Sequence, residues 1–396
     1  MVKPTSLQVL HCSDLHLDKN FNIPNLARAL QRKEDLNNNF SSVVEYAIKN
    51  KPDLFIMSGD IFDKILPTNA SRVFVTQEVK RLRDAKIAVF MIGGNHEVPR
   101  FGASPSLAID VLGSAGIATV FSSSDTVGKR ILNIRGKSIC VSGRSYYTQF
   151  EGANPLKDVE IPCDGDYNIL VIHGSLQGLN VASSNPEMAH QNPFLADDIK
   201  KGLNYLALGH FHNHFEREYM DCTIANPGSL EKLSWAEMND EKGFVWAELN
   251  GSKTSTEFIK LHTRPMETSE LTLSRDKVYS PNIKDHLLEF LSKLNGKDKI
   301  LKLNLRGMIS QEQYSELKIN EILNACKDLF FHLSIDRKEL EMEGYGKIFL
   351  ERIDNPVEAF SKRLDSLITQ PGLNDTDRQL LEQVKSLGTK YLESVK

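Results

Sequence analysis

Short apolar runs recur along the first half of the chain, and most of them stop at a glycine or a chemically capable polar residue. Residues 7–12, 54–57, 87–92, 169–172 and 205–208 are too short for helices and read as buried strands. Between the first three lie stretches with helical spacing. Phe40, Val43, Val44, Ala47 and Ile48 mark a helix ending near Asn50. Phe74, Val75, Val79 and Leu82 mark a second over 68–84, and Pro105 suits the first turn of a third over 104–112. Strand and helix alternating in this way predict βαβ units and a largely parallel sheet. Runs at 131–134 and 138–141, split by Arg135-Gly136, predict a hairpin that starts a second sheet. With 169–172, 205–208, 223–225 and 244–249, they suggest two stacked sheets flanked by helices. Residues 175–193 are polar and without periodicity, which fits either the rim of an active site or a surface insertion.

The pattern changes near Thr263-Arg264-Pro265. Beyond it, strands at 300–305 and 329–335 around a helix over 311–323 predict a small β-α-β unit. From Asn355 the chain turns helical. Asn355 is a cap, Pro356 suits the first turn, and Val357, Phe360, Leu364, Leu367 and Ile368 line one face. Pro371-Gly372 breaks this helix, and a last one presents Leu380, Val384, Leu387 and Tyr391. The expected divisions are 1–262, 263–350 and 351–396. Two helices at a chain end cannot bury two apolar stripes in each other, so the tail needs a partner surface or the preceding domain.

Composition narrows the classes. At 396 residues, 40% hydrophobic and 25% charged, the chain is of ordinary globular make-up. A net charge of −4 excludes a basic nucleic-acid coat, so any grip on nucleic acid must be a local patch, a partner or bound cations. Five scattered cysteines without a Cys-x-x-Cys pair read as reduced thiols in a cytoplasmic protein. No signal peptide is evident, and no window approaches the ~18 uninterrupted apolar residues of a membrane span.

The residues after the strands carry the chemistry. They are Asp14 and His16, Gly59-Asp60, Gly94-Asn95-His96-Glu97, His173-Gly174, and Gly209-His210-Phe211-His212. One histidine beside a strand is ordinarily structural. Five such ends in one chain, at the side of a sheet where ligands collect, point to a shared site. The series Asp-x-His, Gly-Asp, Gly-Asn-His-Glu, His-Gly and Gly-His-x-His, in this order, resembles the calcineurin-like metallophosphoesterases. The runs His11 to Asp18, Tyr205 to His212, and Asn226-Pro227-Gly228-Ser229-Leu230-Glu231 followed by Lys242-Gly243-Phe244 resemble the SbcD-type DNA repair nucleases.

The resemblance implies an α/β fold, a four-layered sandwich of two mixed sheets flanked by helices. A small α+β capping domain and a helical tail would follow. It implies two divalent metal ions, with Asp14, His16 and His212 at one, Asn95, His173 and His210 at the other, and Asp60 bridging. Nitrogen and oxygen donors without thiolate suit Mn, Fe or Zn, and Mn2+ is the expected ion. His96 would act on the leaving 3′ oxygen as general acid or hydrogen-bond donor. Apart from the resemblance, Arg144 and Arg100 follow strand-end glycines, where each would either touch phosphate or make a solvent-facing salt bridge. Asp63 stands where many relatives carry histidine. The implied function is a Mn-dependent DNA exonuclease and endonuclease in end processing, cytoplasmic and nucleoid-associated, with DNA and an SbcC-like coiled-coil ATPase as partners. The tail would bind that ATPase. A homodimer would form through 68–84 and 104–112, unless Phe74, Val75 and Val79 face the chain's own core. The competing reading is a phosphodiesterase for a small nucleotide or nucleotide-lipid.

Overall fold

A computed structural model describes residues 6–99, 106–146, 152–181, 183, 186–344, 346–347, 356–369 and 375–394. The chain begins with β1 (Leu7–Cys12), α1 (Leu26–Asn50), β2 (Leu54–Ser58), α2 (Asn69–Asp84), β3 (Ala88–Ile92), α3 (Asp110–Ser114) and β4 (Thr119–Val120). A hairpin of β5 (Gly128–Ile134) and β6 (Lys137–Gly143) follows, then β7 (Tyr167–His173), β8 (Ser175–Gln177), β9 (Pro193–Leu195) and β10 (Tyr205–Gly209). Strands β11 (Phe215–Tyr219), β12 (Cys222–Asn226), β13 (Gly243–Asn250) and β14 (Lys253–Lys260) complete this part. Helix α1 starts where the Asn25 side chain accepts the Arg28 amide, and ends at Lys51 in left-handed conformation. Thr68 caps α2 in the same way, accepting the Ser71 amide.

The strands form two six-stranded mixed sheets, ordered β14-β13-β1-β2-β3-β4 and β11-β12-β10-β7-β6-β5. Strands β1, β2 and β3 are parallel neighbours, as are β6, β7, β10 and β12. The run at 244–249 belongs to the first sheet, where β13 lies antiparallel to β1 with Leu7 opposite Leu249.

Alternation along each strand explains the layers. In β2, Phe55 and Met57 pack under the helices on the outer face, whereas Leu54 and Ile56 point between the sheets. In β7, Ile169 and Val171 share that central layer, while Leu170 and Ile172 face outward. Both faces of the central strands are thus buried, which is why β1, β2, β3, β7 and β10 read as continuous apolar runs. The outer face of the second sheet is covered by Leu156, Ile161, Met188, Phe194 and Ile199, from a segment with two 3-10 turns and the parallel ribbon β8–β9.

Helix α3 differs from the expectation over 104–112. Ser104 and Pro105 lie outside the described residues, and the helix begins only at Asp110. Phe74, Val75 and Val79 pack into the chain's own core beneath α2, the first of them edge-on to Phe40. Ile65, Leu66, Val73 and Val111 are the exposed apolar residues nearby.

Two compact units divide the chain. The first runs to Glu267 and includes Gly296–Ile300 and Phe330–His332; the second holds Thr268–Asn295, Leu301–Leu329 and the described residues from Leu333 onward. The remaining elements are β15 (Met266–Ser274), α4 (Ile283–Lys293), β16 (Gly296–Ile309), α5 (Gln311–Leu317), α6 (Ile319–Ala325), β17 (Phe330–Met342), β18 (Gly346–Lys347), α7 (Pro356–Ile368) and α8 (Asp375–Ser394). Strands β15 to β18 make a four-stranded sheet in sequence order. The single helix expected over 311–323 is two, because Lys318 takes φ 39° and interrupts it. Sequence reading missed β15 and α4. Helices α7 and α8 pack on each other, with Lys385 paired to Asp365 at 2.6 Å. Leu380, Val384, Leu387 and Tyr391 stay exposed on α8. Asn355 and Pro371-Gly372 lie outside the described residues.

Candidate metal centre

The candidate residues sit at the carboxyl ends of adjacent parallel strands, the usual position for a ligand site in such sheets. Asp14 and His16 follow β1, Asp60 follows β2, and Asn95 and His96 follow β3, all in the first sheet. His173 ends β7, and His210 and His212 follow β10, in the second. The two sets are tied across the sheets. The His210 amide donates to both oxygens of Asp14, at 3.2 and 3.1 Å. Within the first sheet, the Asp14 and His16 amides donate to the carbonyls of Gly59 and Asp60.

The backbone is bent to do this. Asp14, His16 and Asp60 have φ of 51°, 45° and 49°, and His210 has 109°. L-residues enter that region at a cost, and clusters of such outliers accompany functional sites. Gly94 is required by close approach, since a β-carbon there would run into the Asp60 carboxylate.

The imidazoles show the chemistry. Each has one ring nitrogen turned outward to an acceptor: His16 Nδ1 to Asp63 Oδ1 at 2.9 Å, and His212 Nδ1 to Glu237 Oε1 at 3.0 Å. His173 Nδ1 faces the Ser58 carbonyl at 2.8 Å, and His210 Nε2 the Met188 carbonyl at 3.0 Å. Acceptors take protons, so the outward nitrogens carry them, and the inward nitrogens present lone pairs whenever a cation replaces any second proton. Those inward nitrogens converge. His16 Nε2 lies 3.1 Å from His212 Nε2, and Asn95 Oδ1 lies 2.9 Å from His173 Nε2 and 3.1 Å from His210 Nδ1. Asp60 Oδ2 lies between the two groups, 3.5 Å from His16 Nε2 and 3.4 Å from His173 Nε2. Lone pairs at such distances repel unless positive charge stands among them. The donor set therefore fits a pair of divalent cations. Two clusters of ligand atoms within 4.8 Å of one another, Asp14–His16–His212 and Asp14–Asp60–His173, express the same convergence.

Electrostatics agrees. Burial opposes charge on Asp60, yet His173, His16 and His96 hold it well below the usual carboxylate range. Burial also disfavours protonated His173, but Asp60 and Asp14 overcome this and raise it to about 9, drawing positive charge onto the site. His210, buried and facing His173, falls to about 3. Glu97 is pushed up to about 8 by burial and by Asp60. It accepts the amides of Phe62 and Gly94, each at 3.1 Å, and so ties the second strand-end loop to the third.

Residues 7–227, which hold all of these donors, match the calcineurin-like phosphoesterases. The chain belongs to that family. Among curated relatives, this phosphoesterase is similar to an uncharacterized metallophosphoesterase YhaO of Bacillus subtilis, 25% identical over 69% of the chain and 65% of that protein. It is 27% identical to the DNA double-strand break repair protein Mre11 of Methanocaldococcus jannaschii, over 62% of the chain and 63% of the relative. The chain therefore spans less than two thirds of both. With the Mre11 of Saccharolobus solfataricus it shares 24% identity over 96% of the chain and 97% of the relative.

Three positions expected in the phosphoesterase site need separate treatment. His96 is about a third exposed; its amide donates to Asp60 Oδ1 at 2.9 Å, and its Nδ1 lies 3.2 Å from the Asp63 carbonyl. Arg144, expected at phosphate, is buried, and its guanidinium donates to the carbonyls of Ser124 and Pro155, which braces a loop. Arg100 lies outside the described residues. His11, close to the first motif, bridges Tyr205 and Ser58 at 3.0 and 2.8 Å; burial lowers it to about 3, and it belongs to the scaffold. Sequence reasoning missed Glu237, the Met188 carbonyl and the bond of Asp63 to His16. The expected rim at 175–193 supplies Met188, so that stretch does reach the site.

Proposed function

We propose that this phosphoesterase is a Mn-dependent DNA nuclease, of the SbcD type, that hydrolyses phosphodiester bonds during DNA end processing with an SbcC-like ATPase. The observation that carries the reading is the convergence of one ring nitrogen from each of four imidazoles with Asp14, Asp60 and Asn95. Asp14, His16 and His212 would hold one ion, Asn95, His173 and His210 the other, with Asp60 between. When bound, the pair would polarise the phosphate and supply the nucleophile. The chain's own residues do the rest. Asp63 and Glu237 orient their imidazoles, Glu97 holds the turns, and His96 offers Nε2 to the leaving oxygen. Absence of thiolate favours Mn over softer-ligand choices. Relatives named Mre11 and the long extension beyond Glu267 support DNA over a small phosphodiester.

End-labelled linear DNA should be digested with Mn2+ and left intact in chelator. Hydrolysis of bis-p-nitrophenyl phosphate without any DNA cleavage would favour the competing small-substrate reading.

Two assembly predictions follow from exposed surfaces. A groove of about 850 Å³ between α2 and α3 is lined by Ile65, Leu66, Val73 and Val111, and a second copy is its proposed occupant. The double change Val73→Asp and Val111→Asp should give monomers by light scattering where the unaltered protein gives dimers. Monomers from the unaltered protein at micromolar concentration would end the idea. On α8, the exposed row Leu380, Val384, Leu387 and Tyr391 suits helix-in-groove docking to the ATPase. Deleting 355–396 should leave Mn-dependent nuclease activity and abolish the ATPase complex. An insoluble product would assign the tail to the enzyme's own core.

A further inference from the structure

His212 is held at its ring and at its backbone carbonyl by charged groups that lie well away from it in sequence, Glu237 and Lys242. Glu237 Oε1 takes the Nδ1 proton at 3.0 Å and also accepts from the Ser234 hydroxyl at 3.0 Å. Its Oε2 accepts from the Leu233 amide at 3.1 Å and the Ser229 hydroxyl at 3.3 Å. Lys242, whose side chain is fully buried, donates from Nζ to that same Oε2 at 2.8 Å, to the His212 carbonyl at 2.8 Å, and to Ser229 Oγ at 2.9 Å. Asp240 stands 3.5 Å from the same ammonium. Lysine is almost never fully buried without a reason, and an unpaired ammonium there would be very costly. His212 is therefore gripped at both ends, its ring by a carboxylate and its backbone carbonyl by the cation that neutralises the carboxylate. The other half of the site has no such device: His173 and His210 lean on the neutral carbonyls of Ser58 and Met188.

We infer that Glu237 and Lys242 are a positioning pair that fixes the tautomer and direction of His212, and thereby controls occupancy of one of two metal positions. The inference rests on the two-metal reading above. Glu237 keeps the proton on Nδ1, so Nε2 always faces His16 as a lone pair. The carboxylate makes that nitrogen a stronger donor than a carbonyl-backed imidazole. Lys242 keeps the carboxylate from turning away and holds the chain at residue 212 in register with Ser229. The position formed by Asn95, His173 and His210 does not depend on the pair.

The test uses the whole chain and Mn2+ alone. Calorimetry and the manganese paramagnetic resonance spectrum should show two ions with spin-coupled signals in the unaltered protein. Lys242→Met and Glu237→Gln should each weaken one of the two binding events by about 10–100-fold, the usual worth of an outer partner of a metal ligand. The other event should stay as it was, and the spectrum should revert to isolated Mn2+. A lower melting temperature with both ions bound as before would mean that the pair only supports the fold, and would overturn the inference. Should either variant fail to fold, the unaltered protein labelled with 15N-histidine and titrated with Zn2+ decides. His212 must show the Nδ1–H tautomer, and the opposite tautomer sinks the proposal. Failure of the unaltered protein to bind two ions would instead strike the two-metal reading itself.

Discussion

Replacing Asp60 by alanine is expected to strip both metals and abolish phosphodiester hydrolysis, while the protein still folds. Asp60 Oδ2 lies 3.5 Å from one imidazole of the first cluster and 3.4 Å from one of the second, so its loss removes a donor from each. Its other oxygen accepts the His96 amide, so the third strand-end loop would loosen as well. His212→Ala, by contrast, removes a donor from one cluster only. Elemental analysis after desalting separates the cases, with no ion retained in Asp60→Ala and about one in His212→Ala. Two ions retained by folded Asp60→Ala would end the bridging assignment.

The second large effect is expected from His96→Ala. The side chain reaches the Asp63 carbonyl with Nδ1, stands edge-on to His16 and is about a third exposed beside the donors. Removing it should leave melting temperature, metal content and DNA affinity close to those of the unaltered protein. Hydrolysis should fall by about 10²–10⁴, the usual worth of a positioned general acid. The fall should be confined to kcat, because a group that acts on the leaving oxygen is used only in the transition state. Unchanged turnover would leave His96 a mere turn residue.

The site was legible where chemistry and local geometry coincide. Asp14, His16, Asp60, Asn95, His173, His210 and His212 each stand at or just past the end of an apolar strand, so one rule about parallel sheets collects them. What escaped was whatever is made by distance along the chain. Glu237 is an ordinary glutamate in a short 3-10 turn, and only folding brings it to His212. Lys242 was visible within a family-like Lys-Gly-Phe run, but nothing local says that it is buried. The Met188 carbonyl carries no side-chain signal at all. The carbonyl partners of Arg144 were likewise out of reach, because a strand-end arginine says nothing local about what its guanidinium will meet. In the fold, periodicity found α1 and α2 but could not tell which side of α2 is covered. Phe74, Val75 and Val79 proved to be core and Val73 surface. The interruption at Lys318 was invisible, since neither proline nor glycine marks it.

The pairing of β1 with β13 has a consequence for how the molecule is made. Strand β1 is at the beginning of the chain, yet its antiparallel neighbour is not synthesised until residues 243–250 emerge, after every strand of the second sheet. A ribosome-bound chain carrying Asp14, Asp60 and Asn95 thus holds half a binding site on an unfinished sheet. Closing that sheet requires contacts of very large sequence separation, which pay chain entropy before they return any stability. Folding of the first unit should therefore wait for β13, with a period during synthesis in which the β1 edge is bare. During that period the nascent protein is most in need of a chaperone, and it has only part of the donor geometry that selects among ions.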